Sequence, residues 1–350
     1  DYDDTSTVMG GHPTVPVFPA VLALAEERGA SGSDLITALV VGAEVEGRLG
    51  SAIGGKHYAK GWHVTSTMGV FGAAAGAARL LGLNAEQFGH AIGLAASQAS
   101  GLKANFGTMT KPFHAGHAAE RGLLSARLAA RGYTSNPEAF SARQGLVEAA
   151  GTGTIDEERL ARVNDDWIIR HTLFKYPAAC YLTHAAIESA LRLRASVALD
   201  EVAAATVTVH PSLLAVCGIP EPLTGLEAKF SLTGTTAMAL LGMDTADPAT
   251  FVDALVQGEA LQRLIRRVRV ETDRNLSQTQ AVVELEDKAQ RSYRAEHDSG
   301  VPASDLAAQG ARLHNKFLGV AGIALEETAG EFEKRLQSLP ELDDVRGALA

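Results

Sequence analysis

Four stretches of this sequence set basic and hydroxyl side chains directly ahead of an apolar run. The richest, FGTMTKPFHAGHAAERGLLSARLAARG at 106–132, holds Lys111, His114 and His117. Pro112 restricts Lys111 to an extended backbone, and Gly107 and Gly116 bracket a turn, so the helix is expected to start around these residues. Its apolar positions Ala118, Ala119, Leu123, Ala126 and Leu128 recur near a 3.6 period. A lysine and two histidines at such a place make an anion site, because free backbone N–H groups point out of a helix N-terminus.

The other three stretches repeat the arrangement. At 54–67, GGKHYAKGWHVTST places His57, His63 and Thr65 before a small-residue helix from about Met68. The opening DYDDTSTVMGGHP sets Asp3 and Asp4 a few residues from His12, with two glycines that permit a sharp loop. FKYPAACYLTH, 174–184, sets Lys175, Tyr181 and His184 ahead of a further helix. Helices packed as a bundle can bring such starts into one cavity. A histidine with a pKa near neutrality, a lysine whose pKa burial can lower, and a helix end that holds a carboxylate suit proton abstraction next to a carboxylate. Charge developing on the carboxylate oxygens would meet fixed N–H groups and lysine, most strongly in the transition state.

Other chemistries find less support. His57-x5-His63 and His114-x2-His117 lack the H-E-x-x-H arrangement and no cysteine pair backs them, which reads against a metal. There is no G-x-S-x-G elbow for nucleophilic hydrolysis, and no strand leads into a G-x-G-x-x-G turn, so a dinucleotide cofactor is not expected. Cys180 and Cys217 are too few for a disulfide framework or a cysteine-held iron–sulfur cluster. A net charge of -10 argues against a nucleic-acid partner. The basic run RLIRRVR, 263–269, reads as a strand with its arginines outward. The longest apolar run, 68–83, is broken by Arg79 and too short to span a bilayer, so no membrane contact is expected. No signal peptide is seen, and the expected compartment is the cytoplasm. The chain opens at Asp1 inside a site-like motif, which suggests that a segment precedes it.

The elements that would carry these groups are mostly helical up to residue 195. Helices are expected over 19–28, over 33–49 with Ser33 as N-cap, over 85–100 with Asn84 and Gln87 as a capping box, over 141–150 and over 182–194. Alternation at 206–209, 266–273 and 281–287 marks strands. EAKFSLTG, 227–234, reads as an extended stretch with Lys229 and Ser231 on one face and Phe230 and Leu232 turned to the core. From about residue 306 the pattern is helical again. The expected fold is mainly α: a large all-helical domain (1–195), a smaller α+β lid domain (196–305), and C-terminal helices (306–350) that return to the helical domain.

The motifs DYDDT…GGHP, KGWHVTSTMGVFGAAAGAARLLGL, FGTMTKPFHAGHAAERG, FKYPAACYLTH and EAKFSL resemble the MmgE/PrpD family over nearly the whole chain, in order. The resemblance implies a helical domain and a lid domain with the active site at their junction, a homodimer, and cofactor-free chemistry on small di- or tricarboxylates. It places catalytic roles on Asp4, His12, His63, Lys111 and His184. Asp3, Thr65, His114, Lys175, Tyr181 and Ser231 become the candidates for holding substrate. Two features depart from the family: its N-terminal helices are missing, and Glu188 stands where an aspartate often follows the later histidine. The first expectation is a hydro-lyase like 2-methylcitrate dehydratase, with His63 or Lys111 as base and His12 as acid. Alternatives are an epimerase of an iminodisuccinate-like acid, a decarboxylase of a cis-aconitate-like acid, and a non-catalytic carboxylate-binding protein.

Overall fold

The computed structural model describes residues 2–151, 153–161, 167–325 and 328–346. It is mainly α-helical with one small mixed sheet, as the sequence implies. The chain divides into two compact units. A helical unit comprises 3–172 and 327–350, and a sheet unit comprises 1–2 and 173–326.

The helical unit is built from α1 (Thr14–Arg28), α2 (Gly32–Ile53), α3 (Gly55–Ala59), α4 (Val64–Thr67), α5 (Gly69–Leu81), α6 (Ala85–Gln98) and α7 (Thr110–Ala130), followed by two short helices, α8 (Leu146–Ala149) and α9 (Glu157–Ala161). Helix α5 is its axis. Every residue from Gly69 to Ala78 is buried, and α1, α2, α6 and α7 pack around it. Small residues make this possible: a Cβ on Gly122 of α7 would lie 2.6 Å from the Val70 carbonyl oxygen, so the two backbones nearly touch. The stretch Val64–Leu81 has the length and apolarity of a membrane span, yet 83% of it is buried inside the protein. Phe71 supplies the bulk that alanine and glycine lack, meeting Phe140 edge-on at 5.4 Å.

Capping explains where the helices start. The Asn84–Gln87 capping box forms as expected. On α2 the N-cap is Ser31, two residues before the expected Ser33, and its hydroxyl accepts the Asp34 N–H at 3.1 Å. Helix α1 begins five residues ahead of the expected start. Its first N–H, from Thr14, is taken by Asp4 Oδ1 at 3.0 Å, a partner ten residues away that local pattern does not show. Helix α7 also begins early, at Thr110, so Lys111 is helical rather than extended and Gly116 lies within the helix. Pro112 falls in the first turn, where its missing N–H has no intrahelical partner to lose.

In the sheet unit, α10 (His184–Arg194) leads to β1 (Val202–Val209). Short helices α11 (Leu214–Cys217) and α12 (Gly225–Ala228), then α13 (Leu232–Leu241), α14 (Asp253–Val256) and α15 (Glu259–Ile265), cross to β2 (Val268–Thr272). Strands β3 (Gln280–Asp287) and β4 (Ser292–Asp298) complete a sheet of order β2-β1-β3-β4. Strand β1 runs parallel to β2, pairing Val207 with Val270, and antiparallel to β3, pairing Val207 with Val283. Helices α10 and α13 cover the sheet, and their apolar faces join Ala205, Val207, Val209 and Val283 in one core. The basic run at 263–269 is no single strand: it ends α15 and enters β2 only at Val268. After α16 (Leu306–Leu325) the chain returns to the helical unit with α17 (Ala329–Gln337).

Candidate active site

Three of the four polar stretches meet inside the helical unit. His63 precedes α4 in an extended conformation and is fixed by its backbone. Its N–H donates to the Gly101 carbonyl (3.0 Å), while its own carbonyl accepts from the N–H groups of Ser66 (2.9 Å) and Thr67 (3.0 Å). The Thr67 hydroxyl adds a third bond to that carbonyl and accepts in turn from His57 Nε2 at 2.8 Å. That assignment leaves Nδ1 of His57 without a proton, in keeping with burial that lowers its pKa to about 4.

The His63 ring stands edge-on to Phe106 at 4.9 Å, and its Nδ1 lies 3.1 Å from Nδ1 of His114 on α7. Two facing ring nitrogens at this distance need one proton between them: one ring donates and the other accepts. The surroundings favour neutral rings. Burial, then the positive fields of Lys111, His12 and His114, drive the His63 pKa down to about 2 against a weaker opposing pull from Asp3. Burial likewise lowers His114, helped by His117 and Lys111. His63 Nε2 is buried with no hydrogen-bond partner among the described residues. Lys111 sits one turn before His114 on α7, its ammonium 5.5 Å from the Phe106 ring centroid. Gly101 is needed where it is: its φ is +118°, and a Cβ there would lie 2.8 Å from Ser66 Cβ.

His12 closes another corner of the same unit. Its Nδ1 donates to the Asp4 carbonyl at 2.6 Å and lies 3.5 Å from the Asp3 carboxylate. Its backbone N–H donates to Thr65 Oγ1 at 3.2 Å, tying the opening loop to the His63 segment. Nδ1 is thereby engaged as a donor.

Lys175, Tyr181, His184 and Ser231 belong to the sheet unit. Lys175 and His184 are both buried. The His184 ring lies 4.9 Å from that of Tyr181, and its pKa falls to about 3 through burial and the charges of Lys175, Lys316 and Arg312. The Tyr181 hydroxyl donates to the Ser299 carbonyl, and burial raises its pKa. Glu188 forms its ion pair with Arg312 of α16 at 2.7 Å.

Ser231 is not on an extended face with Lys229. Lys229 caps the C-terminus of α12, and Ser231 is the N-cap of α13. The hydroxyl of Ser231 accepts the Gly234 N–H (2.9 Å), donates to the Ile219 carbonyl (2.7 Å) and lies 2.9 Å from the Thr233 hydroxyl. Two consecutive helix starts replace the strand, because the Thr224–Glu227 capping box nucleates a turn inside EAKFSL. Phe106 and Gly101 went unremarked in the sequence, because both meet His63, a residue more than thirty positions away. Among the described residues, no three His, Cys, Asp or Glu side chains converge as a metal-holding group.

Comparison with known proteins matches two family models in succession along the chain. Residues 1–158 match the model of the MmgE/PrpD N-terminal domain, and residues 176–339 match that of the MmgE/PrpD C-terminal domain. A Homo sapiens protein named cis-aconitate decarboxylase is 28% identical over 98% of this chain and 74% of its own length. A protein of the same name from Aspergillus terreus (strain NIH 2624 / FGSC A1156) is 28% identical over 99% of this chain and 76% of its own. The Mus musculus protein of that name is 36% identical over 42% of this chain and 31% of its own.

Proposed function

The chain belongs to the MmgE/PrpD family, and from that premise we propose that it is a lyase of small di- or tricarboxylates, acting through its own histidines and lysine. The observation that carries this reading is the His63–His114 contact, with a neutral His63 whose Nε2 has no partner among the described residues, beside the positive charge of Lys111. A neutral imidazole next to a fixed cation can hold or move a proton at a carbon whose charge is shared with a carboxylate.

Decarboxylation of a cis-aconitate-like acid is the reaction proposed, supported by the names of the similar proteins over almost the full chain. In that step the bond to one carboxylate breaks and carbon dioxide leaves. The electron pair stays on the substrate, spread over the remaining unsaturated carboxylate. Lys111 stabilises that charge, and a protonated group of the His12–Lys111 region then supplies the proton to carbon. Dehydration of a 2-methylcitrate-like hydroxy acid is a second reading, favoured by the neutrality of His63: there the histidine takes a proton from carbon and hydroxide leaves with help from an acid. Incubating the purified chain with cis-aconitate and with 2-methylcitrate separates them. Carbon dioxide released from the first supports decarboxylation, alkene formed from the second without carbon dioxide supports dehydration, and neither product from either acid refutes both.

A further inference from the structure

Glu46 has no part in the site described above, and its surroundings are unusual for a carboxylate. It lies on the buried face of α2, 0% exposed, and neither side-chain oxygen has a hydrogen-bond partner among the described residues. Its neighbour Glu44, by contrast, is met by Arg48 and by the Ile168 N–H. Room for the Glu46 carboxyl comes from two glycines in α5. A Cβ on Gly72 would lie 2.7 Å from Oε2, and one on Gly69 would lie 3.5 Å away. Pro16 and Val17 of α1 press on the same two glycines, and the buried faces of α1 and α5 carry no ionisable residue. A negative charge in such a niche has neither a donor nor a cation to hold it, and taking up a proton is the way out.

Burial first, and then the field of Asp4, another acid, hold the Glu46 carboxyl well above the usual carboxylate range. The two differ in what supports a charge. Asp4 Oδ1 accepts the Thr14 N–H at the start of α1, a helix end that favours an anion. We propose that, of these two acids, Glu46 in its donor-free niche is the one that holds a proton, without a hydrogen bond between them, so that Glu46 is a positioning residue that leaves the negative charge on Asp4 beside His12. Two acids so placed titrate as a pair. At high pH the second proton leaves, and repulsion then disturbs the Asp4–His12 corner.

The protonation state can be read without any variant. Infrared spectra of the whole protein, unlabelled and with carbon-13 glutamate, should show at neutral pH a protonated-carboxyl C=O band that moves with the label. Its absence overturns the proposal. Glu46→Gln, which mimics the protonated acid, should remove that band and keep kcat/KM at neutral pH within about threefold of wild type. It should also lose the alkaline limb that Glu46 gives the wild-type pH profile. A loss of about a hundredfold with the fold intact, or an unchanged alkaline limb, would overturn the positioning role. That second arm rests on the lyase reading, whereas the infrared arm does not, so a failed substrate assignment and a failed Glu46 assignment remain distinguishable.

Discussion

Replacing His63 by glutamine tests the electrostatics of the site through folding alone. The wild-type ring, 4% exposed, has its pKa pushed from 6.5 to about 2, first by burial and then by nearby positive charge. In the unfolded chain the ring regains the ordinary value. Its folded pKa is depressed, so the stability tied to its neutral form is present above about pH 6.5 and is lost as pH falls toward the folded value. At about pH 5 the unfolded state has bound a proton that the folded state refuses. Over those 1.5 or so pH units, at about 1.4 kcal/mol each, the loss is about 2 kcal/mol. Glutamine has no proton to gain. Urea unfolding of both proteins between about pH 7.5 and pH 5 should therefore show the wild type losing about 2 kcal/mol more than His63→Gln, while titrating groups that do not touch His63 cancel in the difference. A gap that does not change with pH would mean that the folded ring is protonated, with Asp3 outweighing the burial, and the neutral-base reading would fall.

Further perturbations probe other parts of the account. Ser231→Ala should cost about 1–2 kcal/mol in thermal unfolding, since it removes the α13 cap and leaves the Ile219 carbonyl short of a donor. KM should stay near wild type, and a clear rise in KM would return Ser231 to the substrate site. Gly101→Ala should lose about 1–3 kcal/mol, because alanine is strained at φ +118° and its Cβ meets Ser66. Because the Gly101 carbonyl holds the His63 N–H, kcat should fall with it; full kcat in a destabilised variant would show that this bond does not position the ring.

Much of this architecture is legible in the residues, and what escapes has physical causes. The small-residue run of α5 announces a close-packed interior helix, and Asn84 with Gln87 announces a helix start, because both signals are local. Lys111-Pro112 misleads because proline is disfavoured inside a helix yet harmless in the first turn. The Asp4 cap on Thr14 is invisible because it joins residues ten apart through a loop. Strand β4, SYRAEHD, goes unread since its inner face is only Tyr293, Ala295 and His297, too weakly apolar to mark an edge strand with partial exposure. Glu46 sits in AEVEGR, where nothing separates a surface glutamate from a buried one; only the glycines of α5, more than 20 residues on, make its niche. The histidines and Lys111 stand out by type, but the 3.1 Å contact between His63 and His114 depends on how α4 and α7 pack.

The central claim is that proton transfer at a carboxylate-bearing carbon runs through the His63–His114–Lys111 corner. The most direct measurement is carbon dioxide release from cis-aconitate by wild type and by Lys111→Ala, with circular dichroism to establish that both are folded. Removing the ammonium should leave the fold intact and cut turnover by about a hundredfold or more. Turnover at the wild-type rate in folded Lys111→Ala would contradict the claim.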